Sequence, residues 1–338
     1  MPQGSVLGPL LFLILISDID CNILNSSLRS FADDSRMTKS IKSPADLSAF
    51  QLDLNSVYEW AELNKLVFNE LKFEMIRYSP SSRNSNTQIE VKYSTPNGLD
   101  IPVKSSISDL GVTLSSDDFF SSHIVSVLGK MRAKCSWIFR TFSSRSQDLL
   151  TAWKSLVIPL HDYCSQLWSP YKIKDISALE AVQWNFISKL NGVSSNYWSA
   201  LKQLKLYSLQ RRRERYMIMY VWKVLENIAP PIVDSTGRYL LFNKFNDRLG
   251  RSCTVPPLVK RGTQFIQTMK NNSFLVLGAQ LFNILPQNIR NITNCKFELF
   301  KSAVDGFLSS VPDEPHLNGY NNRTNGAVSN CLLNMFSG

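Results

Sequence analysis

Residues 29–39 read RSFADDSRMTK, and the two adjacent aspartates decide how the first third of the chain is read. Neighbouring carboxylates repel each other, so a chain leaves such a pair in solvent or gives it a cation to hold. Asp33 and Asp34 follow Phe31 and Ala32, and SLRSFADDSRMT reads as strand, turn, strand with the acids near the tip. Two hard oxygen donors there suit Mg²⁺, which binds through one or two carboxylates plus substrate phosphates. Alone, an Asp-Asp pair in a turn is more often structural, so its surroundings have to decide.

On the N-terminal side, MPQGSVLGPLLF places Gln3, Gly4 and Ser5 in a polar turn ahead of an apolar run. Small residues let a backbone approach a ligand closely. The stretch VLGPLLFLILI, 6–16, has no basic residues before it and falls short of the roughly 20 apolar residues that span a membrane. It is expected to form a buried helix. On the C-terminal side, Leu47, Phe50, Leu54, Val57, Trp60 and Ala61 recur at the period of an amphipathic helix. KFEMIRYS (72–79), TQIEVKYS (87–94) and IPVKSSISDLGVTLS (101–115) read as strands, with a turn at PNG, 96–98. The first third is expected to be a small sheet with helices packed on it.

Beyond residue 117 the period changes. Phe120, Ile124, Val127, Met131, Cys135, Ile138 and Phe142 form one apolar stripe of a long helix. Further helices are expected at 146–160, 174–190, 196–207 and 209–228, stopped at Pro230-Pro231, and then at 273–284 and 295–309. Residues after 312 are rich in Asn, Gly and Ser and read as a loose tail.

Composition narrows the class. A chain of 338 residues with 44% hydrophobic and 11% aromatic side chains has material for a packed core and for two or three units. Net charge is −3 over 1–114, +8 over 115–230 and +5 over 231–338, which fits a metal-binding end joined to a polyanion-binding end. Cysteines at 21, 135, 164, 253, 295 and 331 contain no Cys-x-x-Cys pair, so neither a zinc knuckle nor a secreted disulfide framework is indicated. Reduced thiols and an intracellular location, nucleus or cytoplasm, are the simplest reading. The sequons at Asn25, Asn271, Asn291 and Asn322 would then go unused. His161-Asp162 and His161-x-x-Cys164 lack further ligands at useful spacing and read as packing.

The joint occurrence of PQGSVLGPLLFLILISDI and FADDS is far more specific than either piece. Together they resemble the reverse transcriptases of non-LTR retrotransposons, the jockey-like LINE group in particular. LNKLVFNELKFEM, DLGVTLSSD, FRTFSSRS, SLVIPLHDYCSQLWSPY, LEAVQWNFI, SLQRRRERY and FNILPQNIR follow in the family's order, so the likeness runs from residue 1 to about 310.

The resemblance implies an α+β fold: a partial right-hand polymerase palm (1–114), a helical thumb (115–230) and a mixed, family-specific C-terminal region (231–338). It implies RNA-directed DNA synthesis by two-metal nucleotidyl transfer, with RNA template, DNA primer and deoxynucleoside triphosphates as partners and Mg²⁺ as cofactor. Asp33 and Asp34 match the catalytic, metal-holding hairpin. Lys72 matches the lysine placed to protonate the leaving group. Gln3, Gly4 and Ser5 match the template and nucleotide segment, and Leu110 and Gly111 match the primer grip. Lys130 and Lys134, with the cluster Arg211, Arg212, Arg213 and Arg215, are expected to meet phosphates; pairing of the arginines with Glu214 or Glu226 is the competing reading. Family members carry a further carboxylate on a palm strand upstream of the PQG turn, together with fingers and an endonuclease domain. This sequence starts at the PQG turn, so the chain alone is expected not to polymerise DNA. A non-catalytic nucleic-acid-binding role through the basic thumb is the alternative.

Overall fold

A computed structural model describes residues 4–78, 92–116, 120–233, 238–246, 248, 250–260, 264–315, 317 and 330–336. The chain divides into two compact units, Met1–Ile107 and Ser108–Gly338.

The first unit opens with α1 (Gly8–Leu15), then the hairpin of β1 (Ser27–Phe31) and β2 (Asp34–Thr38), then α2 (Pro44–Leu63). α2 starts where its sequence says it should. Ser43 and Asp46 form a reciprocal capping box and Pro44 occupies the first turn, satisfying amides that a helix start leaves open. A 3₁₀ turn at Glu70–Lys72 leads to β3 (Met75–Ile76), which pairs in parallel with β4 (Val103–Lys104).

This unit departs from the expected small sheet. Among the described residues its strands form separate two-stranded pieces. Of the strand predicted at 72–79, Lys72 ends a 3₁₀ turn and Met75–Ile76 alone form strand among the described residues; residue 79, and residues 87–91 of the next predicted strand, lie outside the described residues. α1 departs as well, since it has no buried residue and Leu10, Leu11, Leu13 and Ile14 are exposed. The core beside it, Ile19, Leu28, Val57, Trp60 and Ala61, comes from α2, the hairpin and the turn after α1, and Ile16, the residue that caps α1, packs against it. The segment is a helix, but not a buried one.

β5 (Ser106–Asp109), whose last two residues open the second unit, and β6 (Val112–Ser115) form a hairpin. Helices follow: α3 (Ser121–Thr141), α4 (Leu149–Leu156), α5 (Ile158–Asp162), α6 (Ser165–Trp168), α7 (Ile173–Ile187), α8 (Tyr197–Gln203) and α9 (Leu209–Leu225). After the antiparallel pair β7 (Asn243–Asn246) and β8 (Gly250–Cys253) come α10 (Gln264–Asn271), α11 (Phe274–Asn283), α12 (Gln287–Arg290), α13 (Phe297–Ser310) and α14 (Leu332–Phe336).

Two cores organise this unit. One gathers the apolar stripe of α3 with Trp153, Trp168, Phe186 and α8. The other gathers α9 with α11 and α13, where the rings of Trp222 and Phe300 stack at 4.7 Å. The boundary expected at 230/231 therefore falls inside a compact unit, because α9 supplies core to residues on its C-terminal side. All six cysteines are free. Among the described residues no helix is long and apolar enough to cross a membrane.

Candidate active-site hairpin and nucleic-acid interface

The hairpin that carries the aspartates is held from below. Asp53 of α2 is buried, and its carboxylate accepts the backbone N–H of Leu24 (3.2 Å) and of Asn25 (2.9 Å) and the Asn25 side-chain amide (3.1 Å). Burial pushes the Asp53 carboxyl up, but the hydrogen bonds it accepts outweigh burial and leave it below the ordinary value. Trp60 of α2 donates its indole N–H to Asp18 at 3.0 Å. Both contacts fix the chain that enters β1.

Register then places the tip. Leu28 pairs with Met37, Arg29 with Arg36, Ser30 with Ser35 and Phe31 with Asp34, so Ala32 and Asp33 form the two-residue turn. Ala32 takes a left-handed φ of 52°. Side chains alternate along a strand, which puts Leu28 and Met37 on the core side and Phe31, Asp34, Arg29 and Arg36 on the outer face. Asp33 and Asp34 are both exposed. The structure thus delivers the tandem acids to solvent at the end of an anchored hairpin.

A hairpin tip with two carboxylates is an incomplete donor set. Among the described residues no group of three or more His, Cys, Asp or Glu is placed to hold a metal ion. The residues present do not by themselves fit a two-ion centre, whose ions need shared anionic ligands to offset their repulsion.

The other expected residues are distributed as follows. Gln3 lies outside the described residues. Gly4 is exposed with φ 85°, a conformation that favours glycine, and no atom lies within 4 Å of where a Cβ would stand. Ser5 accepts the N–H of Gly8 through its hydroxyl at 2.9 Å, satisfying the first amide of α1. Lys72 is exposed at the end of the 3₁₀ turn. Leu110 and Gly111 form the turn between β5 and β6, with left-handed φ values of 47° and 80°.

On α3, Lys130, Arg132, Lys134 and Arg140 are all exposed, and the helix contains no acid. Trp137, which the apolar stripe leaves out, is 46% exposed with the Lys134 ammonium 5.9 Å from its ring centroid. Its position off the stripe was the sequence signal for an aromatic kept in solvent.

The arginine cluster is a correction. Arg211 (0% exposed), Arg213 (1%) and Arg215 (8%) are buried, and so do not form a solvent-facing basic face. Arg212 is bound through Nε and Nη2 to Asp162, with Nη2 at 2.6 Å from Oδ2. Arg215 takes Asp305 in the same two-pronged way. Arg213 donates to Nε2 of buried His161 at 2.9 Å, and Arg211 lies 3.4 Å from Glu214. Glu226 instead pairs with Arg251 at 2.6 Å. α9 is packed between two cores: Arg212 and Arg215 meet acids from α5 and α13, Arg211 meets Glu214 of α9 itself, and Arg213 meets His161.

Comparison with known proteins adds the decisive observation. The chain is 28% identical over 204 residues to the probable RNA-directed DNA polymerase from transposon X-element of Drosophila melanogaster, covering 56% of this chain and 21% of that protein. It is 24% identical over 204 residues to the RNA-directed DNA polymerase from mobile element jockey of the same species, covering 57% and 22%. The chain is a homologue of the jockey-like non-LTR reverse transcriptases. It spans about a fifth of the length of these curated jockey-like relatives. No family model and no solved structure matches it.

Proposed function

We propose that the chain carries part of the nucleotidyl-transfer site of a retrotransposon reverse transcriptase. The observation that carries this reading is the anchored hairpin with two exposed aspartates in a homologue of RNA-directed DNA polymerases. In this reading residues 1–114 are polymerase palm, 115–230 thumb and 231–338 a family-specific region. Asp33 and Asp34 supply carboxylate oxygens to Mg²⁺. Lys72 stands ready to give a proton to the departing pyrophosphate, and Gln3, Gly4 and Ser5 lie under template and nucleotide. Leu110 and Gly111 hold the primer, and the partners are an RNA template, a DNA primer and deoxynucleoside triphosphates inside the cell.

By itself this 338-residue chain does not extend a primer. Two acids on one tip are too few, and mispositioned charge stabilisation forfeits several kcal/mol of transition-state binding, about tenfold in rate for each 1.4 kcal/mol. The test is extension of a labelled DNA primer on an RNA template with Mg²⁺ or Mn²⁺. No elongation is expected; templated incorporation that Asp33→Ala abolishes would overturn the inactivity while supporting the site.

The acid-free basic face of α3 supports a second reading, nucleic-acid binding without catalysis. Phosphate neutralisation makes such binding weaken steeply with salt. Affinity that is flat between low and high salt would count against it.

A further inference from the structure

The HDYCSQLW segment, 161–168, does more than pack. Hydrogen bonds from both a strand and the turn tie the β5–β6 hairpin to the helical body. At the strand, the N–H of Thr113 donates to Nδ1 of buried His123 at 3.2 Å. At the turn, the Tyr163 hydroxyl donates to the carbonyl of Leu110 at 2.7 Å. The Tyr163 ring also covers Gly111, with Cε1 at 3.5 Å from where a Cβ would stand.

Tyr163 is 53% exposed, so core burial does not explain its place. Its backbone is fixed on both sides: Trp168 donates its indole N–H to the Tyr163 carbonyl at 2.8 Å, and Cys164 takes a left-handed φ of 51°. Trp168 is itself fully buried between the rings of His123 and His161. The turn it reaches needs support, since a non-glycine residue with left-handed φ is strained and Leu110 has one.

We propose that Tyr163 is a positioning residue that fixes the Leu110–Gly111 turn against the nucleic acid. The proposal rests on the primer-grip reading of that turn. Tyr163 touches no substrate; it holds the carbonyl of Leu110 inward, which leaves the partly exposed Leu110 side chain as the apolar tip offered to a primer end.

The experiment uses the full chain and a DNA primer recessed on an RNA template, with 2-aminopurine at the primer 3′ end, against a single strand of equal length. Tyr163→Phe removes the hydroxyl and keeps the ring. It should speed hydrogen exchange of residues 109–112 and weaken recessed-primer binding by up to about three- to tenfold, the worth of one hydrogen bond, with single-strand binding unchanged and the melting temperature lowered by no more than about 4 °C. Leu110→Asp reports on the turn itself and should weaken recessed-primer binding independently of Tyr163. If Leu110→Asp weakens binding while Tyr163→Phe changes neither exchange nor affinity, the primer-grip reading stands and the role of Tyr163 falls. If Leu110→Asp has no effect, or the unsubstituted chain does not prefer the recessed primer, the primer-grip reading falls and takes the role of Tyr163 with it.

Discussion

His161 shows what burial does to one side chain. Its Nε2 accepts from Arg213, which leaves the proton on Nδ1 facing Asp162 at 3.0 Å. Burial pulls its pKa down to about 4, with Asp162 opposing and Arg213 and Arg212 reinforcing. A histidine whose folded pKa lies below its unfolded value of 6.5 contributes stability that is complete above pH 6.5 and is lost as pH falls toward 4. Glu214 acts with the opposite sign. Burial raises its pKa from 4.5 to about 7, against Arg211 and Cys331 and with Asp313, so it gains stability as pH falls from 7 to 4.5. The two effects offset each other between pH 6.5 and 4.5. Glu214→Gln removes the gain, so that variant should lose stability on acidification over this range more steeply than the unsubstituted chain. Thermal melts at half-unit pH steps check this; parallel curves would remove Glu214 from the titration.

At the scale of elements, α3 and α9 are alike in basic composition and unlike in exposure, since the cations of α3 face solvent and those of α9 are buried or paired. Lys134→Glu should weaken nucleic-acid binding and reduce the salt slope by about one, or somewhat more, with little effect on melting. Arg213→Ala should instead destabilise the second unit by about 3 to 5 kcal/mol, because it leaves the buried Glu180 carboxylate without the cation that favours its charged form and His161 Nε2 without its donor. Binding at several salt concentrations and a melting curve for each variant separate the two, and an Arg213→Ala protein that melts normally would put that residue back on the surface. Helices were legible from the sequence because their apolar positions repeat: the stripe Ile124, Val127, Met131, Ile138 is buried as the period requires. For RRRER the competing reading holds at one residue, since Arg211 pairs with Glu214, whereas Asp162 and Asp305, which take Arg212 and Arg215, come from α5 and α13, distant in sequence and invisible to any local pattern. A signal was present nevertheless. The cluster runs into YMIMYVWKVL, apolar around much of its circumference, and such a helix lies in an interior rather than at a surface. The helix at 8–15 misled in the other direction, since an unbroken apolar run signals burial but says nothing of whether this chain supplies the cover.

Across the whole molecule, the hairpin with Asp33 and Asp34 was legible because a two-residue turn between alternating strands has a local signature. The rigging beneath it was not. Asp53 clamps Leu24 and Asn25 across nearly thirty residues of chain, and Tyr163 reaches Leu110 across more than fifty. In the function proposed above, this chain offers a divalent cation two acids, Asp33 and Asp34, of a larger donor set. Titration with Mn²⁺ in the presence of primer, template and a deoxynucleoside triphosphate, followed by electron paramagnetic resonance, tests it most directly. At most one weakly held ion, lost in Asp33→Ala, is expected; a pair of spin-coupled ions bound at the Asp33–Asp34 tip would contradict it.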